Sequence, residues 1–128
     1  MAKKILVIDD DQEFVEAMTN VLDAKGYDVD SASNGTDGIK KAKEFNPDLI
    51  MLDVMMTTKS EGFETARALH EDKKLKEIPI IMITGIRKEM SLPFGFEPNE
   101  TWLPVKNVLE KPVRPDVLLK TIDENLKN

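Results

Sequence analysis

The chain contains no cysteine, so neither a disulfide framework nor a thiolate metal site contributes to its fold or chemistry. It has one histidine, which leaves no room for a His-rich metal centre. A basic surplus is also missing. With a net charge of −6 over 128 residues, the protein is not built to wrap nucleic acid, whose phosphates demand cationic partners. No hydrophobic run approaches the length needed to span a membrane. Met-Ala-Lys-Lys leads into only Ile5-Leu6-Val7-Ile8, too short for a signal-peptide core. A cytoplasmic protein without membrane or nucleic-acid partners is the expectation, and the length suits one domain over residues 1–128.

What is present is a set of short apolar runs that each end in a reactive side chain. Ile5–Ile8 stops at Asp9-Asp10-Asp11, and Leu49–Leu52 stops at Asp53. Ile78–Ile83 stops at Thr84, and Val108-Leu109-Glu110 stops at Lys111-Pro112. Runs of this kind, separated by helical patterns, read as buried parallel strands. Asp28–Ala32 reads as a further short strand. Helical spacing links Phe14, Met18, Val21 and Leu22 before Lys25-Gly26, and Ile39, Ala42 and Phe45 before Asn46-Pro47. It recurs in Phe63, Ala66 and Leu69, with Arg67, Asp72, Lys73 and Lys74 outside, and from Pro115 through Val117, Leu118, Thr121, Ile122 and Leu126. Alternating strands and helices predict a doubly wound α/β sandwich.

In such a sheet the carboxyl ends of the strands share one edge, where ligands bind. Asp9, Asp10 and Asp53 would therefore crowd together. Unit charges about 4 Å apart repel by roughly 1 kcal/mol in water and several-fold more at an effective dielectric near 20. Asp9 to Asp11 on their own could simply cap the following helix. With Asp53 at a matching strand end, neutralisation by a hard cation such as Mg²⁺ becomes the better account. Asp53 can also act as a nucleophile that forms an acyl phosphate. Lys111 and the Thr84 hydroxyl would then meet phosphoryl oxygens.

These four motifs, in this order, resemble the receiver domain of two-component response regulators over nearly the whole chain, excepting about Ile86 to Val108. The resemblance implies a five-stranded flavodoxin-like parallel sheet of order 2-1-3-4-5. It also implies that Asp53 accepts a phosphoryl group from a histidine kinase or phosphotransfer protein. Asp10, Asp53 and the Met55 carbonyl would hold Mg²⁺, with Asp9 acting through water. Thr84 and Lys111 would bind the phosphoryl oxygens, next to a cis Lys111-Pro112 bond. The output partner is left open, as is a monomer versus a phosphorylation-dependent dimer.

Several positions depart from the family pattern. Thr57–Gly62 lacks a proline, Gly85 stands where alanine is usual, and Val108 stands where an aromatic usually swings inward. Pro93, Pro98 and Pro104 forbid a long regular helix between Gly85 and Asn107, so the family's fourth helix is expected to be replaced by an irregular segment. Phe94, Phe96 and Trp102 would pack it down as an ordered lid. Other functions remain in view: a phosphorelay shuttle, a phosphate-independent interaction domain, a Mg²⁺-dependent aspartyl-phosphate phosphohydrolase, or a flavin carrier. The hydrolase lacks a second aspartate two residues after Asp53, since position 55 is Met. The flavin carrier is disfavoured by three aspartates where a phosphate loop needs glycines and amide donors. His70 and the lysines at 73, 74 and 76 read as solvated surface.

Overall fold

A computed structural model describes residues 2–53, 61–84, 107–110 and 113–126. Among these, five strands form one parallel sheet of order β2-β1-β3-β4-β5. The strands are β1 (Lys4–Ile8), β2 (Asp28–Ala32), β3 (Leu49–Asp53), β4 (Ile80–Thr84) and β5 (Asn107–Glu110). The described helices are α1 (Gln12–Ala24), α2 (Gly35–Phe45), α3 (Glu61–Glu71) and α4 (Pro115–Leu126). The flavodoxin-like order that the resemblance implies is thus the order observed. The expected irregular segment and lid between Gly85 and Asn107 lie almost wholly outside the described residues.

The near-continuous apolar strands are explained by helices on both faces. Because side chains alternate along a strand, Leu6, Ile8, Ile50, Leu52, Ile80 and Met82 point to the layer of α2 and α3. Ile5, Val7, Leu49, Met51, Ile81 and Ile83 point to the layer of α1 and α4. A one-residue slip in any central strand would exchange its two sets of side chains between the layers.

Helix ends follow their local chemistry. Asp11 is the N-cap of α1, its carboxylate accepting from Glu13 N at 3.1 Å and Phe14 N at 3.2 Å. Asn34 caps α2 by accepting from Asp37 N at 2.8 Å, while its amide donates to the Asp37 carboxylate at 2.9 Å. Asn46 ends α2 in the left-handed region (φ 53°), a conformation asparagine tolerates, and its N–H donates to Ala42 O at 3.0 Å.

Three sequence expectations are corrected. β4 begins at Ile80 rather than Ile78, because Ile78 N–H closes a turn onto Leu75 O and Pro79 has no N–H to give a ladder. Asp72, Lys73 and Lys74 lie beyond α3 in a turn, where Asp72 accepts from Lys74 N at 2.8 Å. Val117 faces outward at 40% exposure, and Leu118, Thr121 and Ile122 carry the buried face of α4. Val15, absent from the expected α1 stripe, is buried there.

The Asp72 turn also ties α3 to α2, through Lys43 Nζ at 3.4 Å from the second carboxylate oxygen. The backbone hydrogen bond from Lys74, helped by Lys43, holds the Asp72 carboxyl below its usual range. A depressed folded-state value means that this stabilisation is present above the unfolded carboxylate pKa and is lost as pH falls through the folded one. Asp72→Asn should therefore destabilise the fold near neutral pH and converge with wild type in acid. Urea unfolding followed across pH measures that convergence.

Candidate functional site

Strand order decides where the site falls. The chain leaves β1 towards β2 on one side and returns to β3 on the other, so the crevice between β1 and β3 is the topological switch point. Ile8 pairs with Leu52 across it, and the next residues are Asp9 and Asp53. Both carboxylates are held against the protein: Asp9 is 1% exposed and Asp53 4%. Asp10 is exposed. Carboxylate oxygens of Asp9, Asp10 and Asp53 all lie within 4.8 Å of one another.

Asp9 is fixed at both ends. Its N–H donates to Ala32 O at 3.0 Å, extending the β1–β2 ladder by one residue. Its Oδ1 accepts from Asp11 N at 2.8 Å, which folds the strand-to-helix turn tightly. The three consecutive aspartates thus divide their roles. Only Asp11 caps the helix; Asp9 and Asp10 face the crevice with Asp53.

Two buried carboxylates and a third at the rim form a concentrated negative charge that a cation would neutralise. The donors are all hard oxygens, with neither sulfur nor imidazole, which fits Mg²⁺ and disfavours soft or borderline metals. A metal at this cluster is therefore chemically compatible with the residues present.

The remaining expected residues are only partly placed. The Thr84 backbone closes β4 and pairs with Glu110, one residue beyond the Asp53–Ile83 pair, so it reaches the same sheet edge. Met55, Lys111 and Pro112 lie outside the described residues. Val108 sits within β5, paired with Met82. His70 is exposed on α3, and the lysines at 73, 74 and 76 are exposed.

One feature was not legible from spacing. A polar groove of about 430 Å³ runs from Asp9 between α1, the end of β2 and α2, with Gln12, Ser31, Ser33, Asp37 and Lys40 among its walls. In sequence these residues look like ordinary solvated surface. Lys41 Nζ spans from α2 to Asp30 on β2 at 3.4 Å, an exposed pair of small energetic weight.

A doubly wound sheet with an acidic cluster at its switch point is the architecture of an aspartate-centred phosphoacceptor domain. The response regulator receiver domain family matches residues 5–123. The chain is 38% identical over 115 residues to the alkaline phosphatase synthesis transcriptional regulatory protein PhoP of Bacillus subtilis, covering 90% of this chain and 45% of that one. It is 32% identical over 120 residues to protein PilH of Pseudomonas aeruginosa, covering 94% of each. Against the solved chemotaxis protein CheY4 of Vibrio cholerae it superposes with a TM-score of 0.85 at 28% identity, covering 98% of this chain and 100% of that one. The chain thus belongs to the response regulator receiver domain family. It spans half or less of several curated relatives, PhoP included, and nearly all of PilH. Among the described residues, no helix is long and apolar enough to cross a membrane.

Proposed function

We propose that Asp53 is the phosphoacceptor of this receiver domain and that Asp9 and Asp10 join it in holding Mg²⁺. The observation that carries the reading is the buried Asp53 carboxylate at the end of β3, within 4.8 Å of the Asp9 and Asp10 carboxylates. An Asp53 carboxylate oxygen attacks the phosphorus of a phosphohistidine on a kinase or phosphotransfer protein. The O–P bond forms as the P–N bond breaks, and the imidazole departs with its electron pair. The resemblance assigns Thr84 and Lys111 to the phosphoryl oxygens, a hydrogen bond and a positive charge respectively, and the Met55 carbonyl to the metal. Mg²⁺, when bound, supplies charge neutralisation between the acidic cluster and the phosphoryl group.

Burial holds the Asp53 carboxylate in place at the end of β3. Later attack of one water on phosphorus returns the carboxylate and releases inorganic phosphate. The protein would then be an enzyme only towards its own phosphorylation and dephosphorylation. Residues 1–128 would act as a single receiver unit in the cytoplasm, and its phospho-state would be read by an output protein.

Purified protein incubated with a small acyl phosphate and Mg²⁺, or with a competent histidine kinase, should gain one phosphoryl group by intact mass. No mass increase under either condition would falsify the phosphoacceptor assignment.

A further inference from the structure

We propose that Gly38 is a positioning residue for the Asp9 and Asp53 carboxylates, because the space its side chain would fill holds Ile8. This inference rests on the function proposed above. Gly38 lies in the second turn of α2, in a helix interior where glycine is unfavourable. Its φ is not among the positive values, so conformational freedom does not account for it. Close approach does. A Cβ built at position 38 would stand 2.5 Å from Ile8 Cδ1, 2.9 Å from Cγ1 and 3.0 Å from Cγ2.

Ile8 has its side chain enclosed by the core. It is wholly buried in the layer that α2 and α3 cover, packed among neighbours such as Leu6, Leu52 and Ala42. It is also the last residue of β1, paired with Ala32 on one side and Leu52 on the other. The residues that follow Ile8 and Leu52 are Asp9 and Asp53. A methyl group at position 38 presses on the Ile8 side chain, and because that side chain is enclosed the strain passes to the end of β1 or to α2. The first response moves Asp9 and strains its register with Asp53. The second moves Asp37 and Lys40, which wall the groove opening beside Asp9. The first changes the spacing of the carboxylates and the second the groove wall beside them, although Gly38 touches neither carboxylate.

The test compares wild type, Gly38→Ala, the Ile8→Val/Gly38→Ala double variant and Leu75→Ala. Leu75 is buried in the same layer but lies in the turn after α3. Mg²⁺ affinity is measured by calorimetry on samples shown to be folded by circular dichroism. Amide resonances of Asp9 and Asp53 are recorded without metal, and labelling by a small acyl phosphate is timed. Gly38→Ala should weaken Mg²⁺ binding roughly tenfold, the scale seen when a ligand's supporting contact is lost. It should shift both amides and slow labelling. The double variant removes Ile8 Cδ1, the nearest atom, but keeps Cγ1 at 2.9 Å and Cγ2 at 3.0 Å, and should recover part of the affinity. Leu75→Ala should lower thermal stability without changing the affinity.

Wild-type affinity in Gly38→Ala, an equal loss in Leu75→Ala, or no recovery in the double variant would each overturn the positioning role. If Gly38→Ala alone does not fold, the double variant decides: folding with partly restored affinity supports the proposal, and failure to do so defeats it. A wild-type protein that takes up neither Mg²⁺ nor phosphoryl would instead refute the proposed function itself.

Discussion

Asp53→Asn is expected to abolish phosphoryl uptake completely while leaving the protein folded. The amide has nearly the shape of the carboxylate, so the packing at the end of β3 is retained, but it has no anionic oxygen with which to attack phosphorus. The substitution also removes one of the charges in a cluster whose carboxylates lie within 4.8 Å of one another. Relief of that repulsion should raise the stability of the metal-free protein by about 1 kcal/mol or more, given the Coulomb energy at such distances. Mass spectrometry and urea unfolding therefore give opposite readouts from one variant: lost modification and gained stability. Undiminished labelling of Asp53→Asn would move the acceptor to another residue.

The second large effect separates neighbours in sequence. Asp10→Ala should weaken Mg²⁺ binding by tenfold or more, at least the range of about 10–100-fold found when outer-shell partners are removed. Without metal it should be as stable as wild type or more so, because a repelling charge is gone. Asp11→Ala should behave in the reverse sense. Its carboxylate accepts from Glu13 N and Phe14 N, so losing it removes the α1 cap at a cost of about 0.5–2 kcal/mol. Its backbone N–H, which donates to Asp9 Oδ1, is kept, and so is the carboxylate cluster. Thermal unfolding with and without Mg²⁺ distinguishes the two. At a metal concentration about 100 times Kd, a native-state ligand adds about 2.7 kcal/mol, and Asp11→Ala should retain that gain while Asp10→Ala loses most of it. Equal metal responses from both variants would contradict the division of labour among the three aspartates.

That division shows how far the residues could be read in order. Asp9, Asp10 and Asp11 are chemically identical in the sequence, and each is a sound helix cap. Only the turn after β1, closed by Asp11 N–H on Asp9 Oδ1, sends Asp9 to the crevice and leaves Asp11 to the helix. The expected α1 stripe takes in Phe14 and Val21, but the buried face is Val15, Met18 and Leu22, spaced i, i+3 and i+7, and Phe14 and Val21 flank it half-buried. Val117 was placed inward by spacing alone, yet α4 is oriented by Leu118 and Ile122 and leaves it outside.

The sequence by itself determined the order of strands and helices, since apolar runs of strand length alternate with 3.6-residue periodicity and the breaks carry Gly, Asn and Pro. It also determined which side chains stand at strand ends, and hence the acidic and phosphoryl-binding candidates, because a parallel sheet gathers those ends at one edge. Tertiary structure realises the order that the family resemblance implies and residue spacing does not, with β1 between β2 and β3, which puts Asp9 beside Asp53 rather than a strand away. It alone decided the fit of Gly38 to Ile8 and the polar groove next to Asp9. Local patterns fix what each segment becomes. Distances between segments are set by packing, in which a single methyl group can determine how closely a helix approaches a strand.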